Sequence, residues 1–174
     1  LDTTLRDGEQ TAGVSFNVHE KLAIAGLLLK ELRVDRIEVA SARVSKGEAE
    51  SFARICEWAE RNGMGGRVEA LGFLDGGTSV NWIADNGGKV MNILAKGSLN
   101  HLVNQLKKTV QQHISDILSV VDKAEARGLQ ANIYLEDWSN GMLNSEDYVF
   151  NLLDELKDSP IRRFMLPDTL GVLN

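Results

Sequence analysis

VMNILAKGSLNHLVNQLKKTVQQHISDILSVVDKAEARGLQANIYLE, residues 90–136, is the stretch that decides the fold. It opens on a short β-rich run, Val90–Ala95, and closes on another, Gln130–Glu136. Between them Leu99, Leu102, Val103, Leu106, Val110, Ile114, Ile117, Leu118 and Val121 recur at three- and four-residue steps. That is the period of an amphipathic helix. The spacing predicts one helix over residues 99–127, with Gly128 in the left-handed position that follows a helix. Strand, long helix and strand make a parallel pair, because parallel strands need a crossover rather than a hairpin.

Working outward, the same alternation fills the chain. Further strands are predicted at Leu1–Thr4, Arg36–Ser41, Val68–Phe73 and Arg163–Pro167, and helices near 18–33, 46–62, 78–86 and 145–157. Gly63 and Gly87 fall just past helical runs, and Ser145 is a plausible N-cap. Six units in 174 residues average about 29 residues each, close to the repeat of an eightfold βα barrel. The alternative, a doubly wound sheet, usually carries a glycine-rich phosphate turn after its first strand, and Arg6-Asp7-Gly8-Glu9 is not one. The expected class is therefore α/β, a (β/α)8 TIM barrel present as an incomplete barrel of about six βα units. Residues 1–174 are expected to be the N-terminal part of a catalytic barrel domain, with strands 7–8 and any C-terminal regulatory domain outside this sequence.

Composition narrows the function classes. Net charge is −6, from 19 Lys+Arg against 25 Asp+Glu, without a long run of either sign, which argues against nucleic acid and acidic membranes as partners. No apolar run approaches the roughly 18 residues of a membrane span. Cys56 is the only cysteine, so an internal disulfide and a cysteine zinc cluster are excluded. Its helical spacing from Phe52, Ile55 and Ala59 predicts a packing role. Cytoplasmic chemistry is the expectation, although a chain that begins without Met can have lost a targeting segment.

The polar clusters share one rim. Arg6 and Asp7 follow the first predicted strand, Glu136 and Asp137 end the fifth, and Asp168 and Thr169 follow the sixth. In a βα barrel that rim is the active-site face. Taken alone, Arg6 beside Asp7 would be read as a surface ion pair; in this setting a carboxylate can ligate a cation while the guanidinium neutralises a developing oxyanion. Tyr134 and Glu136, two residues apart on a strand, share a face, and Asp137 is expected on the opposite one. A carboxylate ending an apolar strand is costly without a partner. Leu71 and Leu94 read as barrel core by pattern. His101 opens the long helix as a first-turn polar residue, and His19 and His113 are expected at the surface.

LDTTLRDGEQ (residues 1–10) and LPDTLG (166–171) resemble motifs of the metal-dependent barrel enzymes that include isopropylmalate, homocitrate and citramalate synthases. That group also contains hydroxymethylglutaryl-CoA lyase and a carboxyltransferase domain. Within it, IYLEDWSNG (133–141) is most similar to the citramalate synthases, acyltransferases that join pyruvate to acetyl-CoA in a route to isoleucine. The resemblance implies that Arg6 holds the 2-keto acid and stabilises charge on its carbonyl oxygen. It implies Asp7 as a ligand of a divalent metal (Zn, Mg or Mn), Thr169 on the substrate carboxylate and Glu136 beside the reacting carbons. Leu71, Leu94 and Tyr134 would wall the substrate's methyl group, and Gln10 and His101 would stand toward acetyl-CoA. Two further metal ligands are implied in a His-x-His pair that none of His19, His101 and His113 supplies. A homodimer is implied for the full-length enzyme. The competing expectation is a truncated barrel that serves as a non-catalytic association module.

Overall fold

A computed structural model describes residues 1–42 and 44–173. Five strands form one parallel sheet: β1 (Ile37–Ser41), β2 (Val68–Gly72), β3 (Val90–Lys96), β4 (Gln130–Glu136) and β5 (Arg163–Met165). Each pairs with the next in sequence, in the order β1-β2-β3-β4-β5. Every crossover therefore steps to the adjacent strand in the same direction. That is the winding of a βα barrel, here a part of one, and it lacks the reversal of order that defines a doubly wound sheet.

The helices are α1 (Val18–Gly26, continued by a π-helical turn Leu27–Glu31), α2 (Lys46–Arg61), α3 (Thr78–Asp85), α4 (Leu99–His101, continued by a π-helical turn Leu102–Leu106), α5 (Val110–Ala126), α6 (Trp138–Asn144) and α7 (Glu146–Leu156). Their apolar sides join the outward faces of the strands in one core that includes Ile37, Val39, Phe52, Ile55, Ile93, Ile117, Ile133 and Leu152. Phe52 and Trp82 stack within it, with ring centroids 5.3 Å apart. Cys56 lies in this core at 6% exposure, and burial pushes its thiol up to about 12. Gly63, Gly87 and Gly128 all have positive φ at helix ends, as their positions in the sequence imply.

Several expectations fail, each for a local reason. Leu1–Thr4 is not a strand beyond one bridge from Asp2 to Ile37. The Asp2 carboxylate accepts the Thr4 N–H at 2.9 Å and bends the chain away. The long helix over 99–127 is two segments. Lys107 turns left-handed (φ 54), and Thr109 starts α5 afresh with a reciprocal cap to Gln112. Ser145 does not cap α7 through its side chain; its hydroxyl donates to the Gly141 carbonyl at 3.1 Å. His113, expected at the surface, is fully buried, because its Nε2 accepts the Lys96 N–H at 3.1 Å beneath the end of β3.

Candidate active site

The chain enters the site through a tight turn. The Thr3 carbonyl accepts the N–H groups of Arg6, Asp7 and Gly8 at 3.1, 2.8 and 3.1 Å, and a 3-10 turn follows at Gly8–Gln10. This turn is clipped to the helices by Lys21, which is 1% exposed. The Lys21 ammonium meets Glu9 at 2.6 Å and Glu48 at 2.7 Å, so two carboxylates offset the cost of burying it. Burial raises the Glu48 carboxyl above its ordinary range, against the pull of Lys21.

A cleft of about 620 Å³ opens where the strands end, and Arg6, Asp7, Gln10, Leu71, Leu94, Tyr134, Glu136 and Thr169 all line it. Ser41 and Phe73, the last residues of two predicted strands, line it as well. Ser41 reaches it through a bulge in β1: the register passes from Glu38 opposite Glu69 to Ala40 opposite Ala70, with Val39 as the extra residue. Lys96 and Glu136 are register partners on β3 and β4, and their side chains form an ion pair. The Lys96 backbone is held on both sides, since its carbonyl accepts the Tyr148 hydroxyl at 2.7 Å and its N–H donates to His113.

Below the cleft the sheet's inner face is polar. Glu38 and Glu69, both 0% exposed, stand in register on β1 and β2. The Arg6 Nε and Nη2 both lie 2.7 Å from Glu38 Oε1. Asn92 donates to Glu38 Oε2 at 2.5 Å and to Glu69 Oε2 at 2.9 Å, and Asn132 donates to Asn92 at 2.9 Å. Arg36 pairs with Glu69 from the far side at 3.0 Å. Desolvation raises the Glu38 carboxyl, with Arg6 and Asn92 opposing and Glu69 reinforcing. The Tyr134 hydroxyl, in hydrogen-bonding contact with Arg6, is also pushed up, by burial first and then by Glu38. One signal in the sequence marks this layer: a single Glu or Asn inside each of four otherwise apolar strands.

His101 stands apart from the Arg6 cleft. It lines a neighbouring cleft of about 670 Å³ with Ser98, Asp137 and Asn140, and its Nε2 lies 3.4 Å from Asp137 Oδ2. Asp137 has left β4 by this point, in a left-handed conformation (φ 64). A groove of about 720 Å³ also runs between α5 and α7, past Ile114, Leu118 and Asn151, away from the strand ends.

The donor set for a metal is thin. Asp7 is largely exposed, and its Oδ1 is engaged by Arg6 at 2.9 Å. Among the described residues no three His, Cys, Asp or Glu side chains stand together as a cation site. Asp7 is one oxygen donor, and one carboxylate does not make the cage that a divalent ion needs. The residues of this chain by themselves do not fit the metal.

Comparison with known proteins gives the family and the fold. The model of the family described as HMGL-like matches residues 1–174. The chain is 32% identical over 173 residues to a probable 2-isopropylmalate synthase of Ignicoccus hospitalis, covering 99% of this chain and 41% of that protein. It is 34% identical to the (R)-citramalate synthase CimA of Methanocaldococcus jannaschii, covering 99% of this chain and 33% of that one. The chain thus spans about a third to two-fifths of these relatives. Among solved structures, hydroxymethylglutaryl-CoA lyase from Pseudomonas aeruginosa superposes with a TM-score of 0.75 at 20% identity, over 100% of this chain and 58% of that one. An HMG-CoA lyase from Acinetobacter baumannii, in complex with coenzyme A and 3-methylmalate, gives 0.68 at 18% identity, over 99% and 57%. These two likenesses show the fold. No helix among the described residues is long and apolar enough to cross a membrane.

Proposed function

Because the chain belongs to the HMGL-like family, we propose that it forms the N-terminal part of the catalytic barrel of an acyltransferase that condenses acetyl-CoA with pyruvate, giving (R)-citramalate and free CoA. The observation that carries this reading is the pairing of Arg6 with a buried carboxylate at the floor of a cleft whose other wall is apolar. A guanidinium held by Glu38 through Nε and Nη2 and by Asp7 through Nη1 is fixed in orientation at the cleft, and its N–H groups suit the carboxylate and carbonyl oxygen of a 2-keto acid. Leu71 and Leu94 then bound the space for a methyl group and offer no partner to a distal carboxylate, and the Tyr134 hydroxyl in the same cleft is engaged by Arg6. Relatives bearing the citramalate synthase name support this choice.

In this reading acetyl-CoA loses a methyl proton to the Glu136 carboxylate. The resulting carbon nucleophile attacks the keto carbonyl, and the alkoxide forms beside Arg6, whose charge stabilises it until it takes up the proton that Glu136 had removed. Thr169 holds the substrate carboxylate. Hydrolysis of the thioester releases CoA and makes the sequence irreversible. Asp7 offers one oxygen ligand to a divalent cation.

A second reading, 2-isopropylmalate synthesis, is favoured by the relative from Ignicoccus hospitalis that bears that name. The whole protein, assayed with acetyl-CoA and a panel of 2-keto acids by release of free thiol, separates the two. Pyruvate is expected to have the highest kcat/KM; a preference for 2-ketoisovalerate would replace the first reading by the second.

A further inference from the structure

The exit from β4 is held more tightly than a strand end requires. Asp137 sits at φ 64 and ψ 28, a left-handed conformation in which a Cβ is unfavourable. Its side chain is 4% exposed. Oδ2 accepts the Ser98 hydroxyl at 2.7 Å and faces His101 Nε2 at 3.4 Å, and Oδ1 accepts Asn140 Nδ2 at 2.8 Å. Ser98 and His101 are tied to each other, since the Ser98 Oγ accepts the His101 N–H at 3.2 Å.

The Asp137 backbone reaches the other way. Its N–H donates to the Thr169 Oγ1 at 2.9 Å. The carbonyl of the preceding Glu136 accepts the Gly97 N–H at 2.7 Å. There is no slack between these segments: a Cβ on Gly97 would lie 2.6 Å from the Leu135 carbonyl oxygen, and one on Gly141 would lie 2.0 Å from that of Gly97. Glu136, the neighbour of Asp137, and Thr169, its hydrogen-bond partner, both line the cleft that Asp137 itself does not line.

We propose that Asp137 is a positioning residue, whose buried carboxylate, anchored by Ser98, Asn140 and His101, holds the left-handed turn that presents Glu136 and Thr169 together to the cleft. The proposal rests on the acyltransferase reading for its kinetic test. The test uses the whole protein and the variants Asp137→Asn, Asp137→Ala and Asp137→Gly, with kcat and KM for pyruvate and acetyl-CoA and a melting temperature for each. Asn keeps acceptor and donor atoms near Ser98 and is expected within about tenfold of the unmodified enzyme. Gly adopts φ 64 freely but has no anchor, and it is expected to lose about 100-fold in kcat with a raised KM for pyruvate. Ala should lose at least as much, and because it can also fail to fold, Gly and Asn are the deciding variants. A Gly variant within tenfold of the unmodified enzyme, or an Asn variant as impaired as Gly, overturns the proposal. If the unmodified protein turns over no 2-keto acid, the function reading fails by itself. A crystal structure of the Gly variant then decides: Glu136 and Thr169 displaced support the positioning role, and both in place overturn it.

Discussion

Arg6 and Glu38 are joined 32 residues apart in sequence, with the arginine's Nε and Nη2 each 2.7 Å from a single oxygen of a carboxylate that has no solvent exposure. The pair ties the turn before α1 to the inner face of β1, and it makes the arginine part of the protein's interior on one side and of the cleft on the other.

Removing one partner of such a pair is worse than removing both. Arg6→Gln leaves Glu38 buried without its cation and is expected to cost about 3–5 kcal/mol. The double variant Arg6→Gln/Glu38→Gln lets two amides meet and should recover part of that loss. Urea unfolding of the whole protein measures both. A double variant less stable than Arg6→Gln would show that the charge pair does not dominate this contact.

In the proposed function, substrate size is set by the wall opposite. Leu94→Ala opens the space of about three heavy atoms and should raise kcat/KM for 2-oxobutanoate relative to pyruvate by about 10- to 200-fold, or roughly 1–3 kcal/mol. A buried Leu→Ala also costs about 2–5 kcal/mol of stability. The ratio between two substrates cancels the loss of folded enzyme, so the ratio is what to measure. An unchanged ratio for Leu71→Ala, Leu94→Ala and Tyr134→Ala would make these residues core only.

His113 makes stability pH-dependent. Burial first, and the nearby Lys108 ammonium second, lower its pKa from the ordinary 6.5 to about 4. The folded state thus binds fewer protons than the unfolded one between these values. Its contribution, about 3 kcal/mol, is complete above pH 6.5 and is lost as pH falls toward 4. Protonation would also cost the bond from the Lys96 N–H to Nε2. His113→Gln retains an acceptor and should flatten stability between pH 7.5 and 5, read by urea midpoints.

Gly97, just after β3, and Gly141, within α6, leave no room for a methyl group. Gly141→Ala drives a methyl into the Gly97 carbonyl oxygen, 2.0 Å away, and overpacking of this kind costs about 1–3 kcal/mol or more. Gly63→Ala meets open space and only the strain of φ 69, about 1–2 kcal/mol. Melting temperatures should rank Gly63→Ala above Gly141→Ala.

What the sequence exposes and what it conceals follow from the same physics. β4 is legible to the residue because Gln130–Glu136 is apolar at its centre, β-branched at Ile133 and preceded by Gly128. The break before α5 is concealed because the apolar period runs on through Lys107 and Lys108, although Thr109 followed three residues later by Gln112 is a helix-start signal. Glu38, Glu69, Asn92 and Asn132 are each visible as a lone polar residue inside an apolar strand, but their partnership is not. The hydrogen bonds from Asn92 to both carboxylates, and from Asn132 to Asn92, show that the four form one layer. The cleft is more legible than its floor: Glu136 and Thr169 end or follow strands that periodicity locates, Arg6 and Asp7 follow a run that reads as a strand and makes only one bridge, and periodicity says nothing of the carboxylate beneath them. His113 stands at the helical spacing of the apolar face, three residues after Val110 and four before Ile117; its polar ring reads as surface only because the sequence does not show the Lys96 N–H that it meets.

The bulge at Val39 has a consequence for chain length. In every other strand of the sheet, loss of one residue would turn the remaining side chains over, because neighbours alternate between faces. Loss of one residue from β3 would exchange Leu94 for its neighbour at the cleft. β1 alone holds a spare residue, so excision of Val39 would restore an unbroken pleat with Glu38 still opposite Glu69 and Ser41 still opposite Leu71. The first strand of this sheet is the one place where the chain can be shortened by a residue and keep both its buried acid and its cleft-facing hydroxyl where they are.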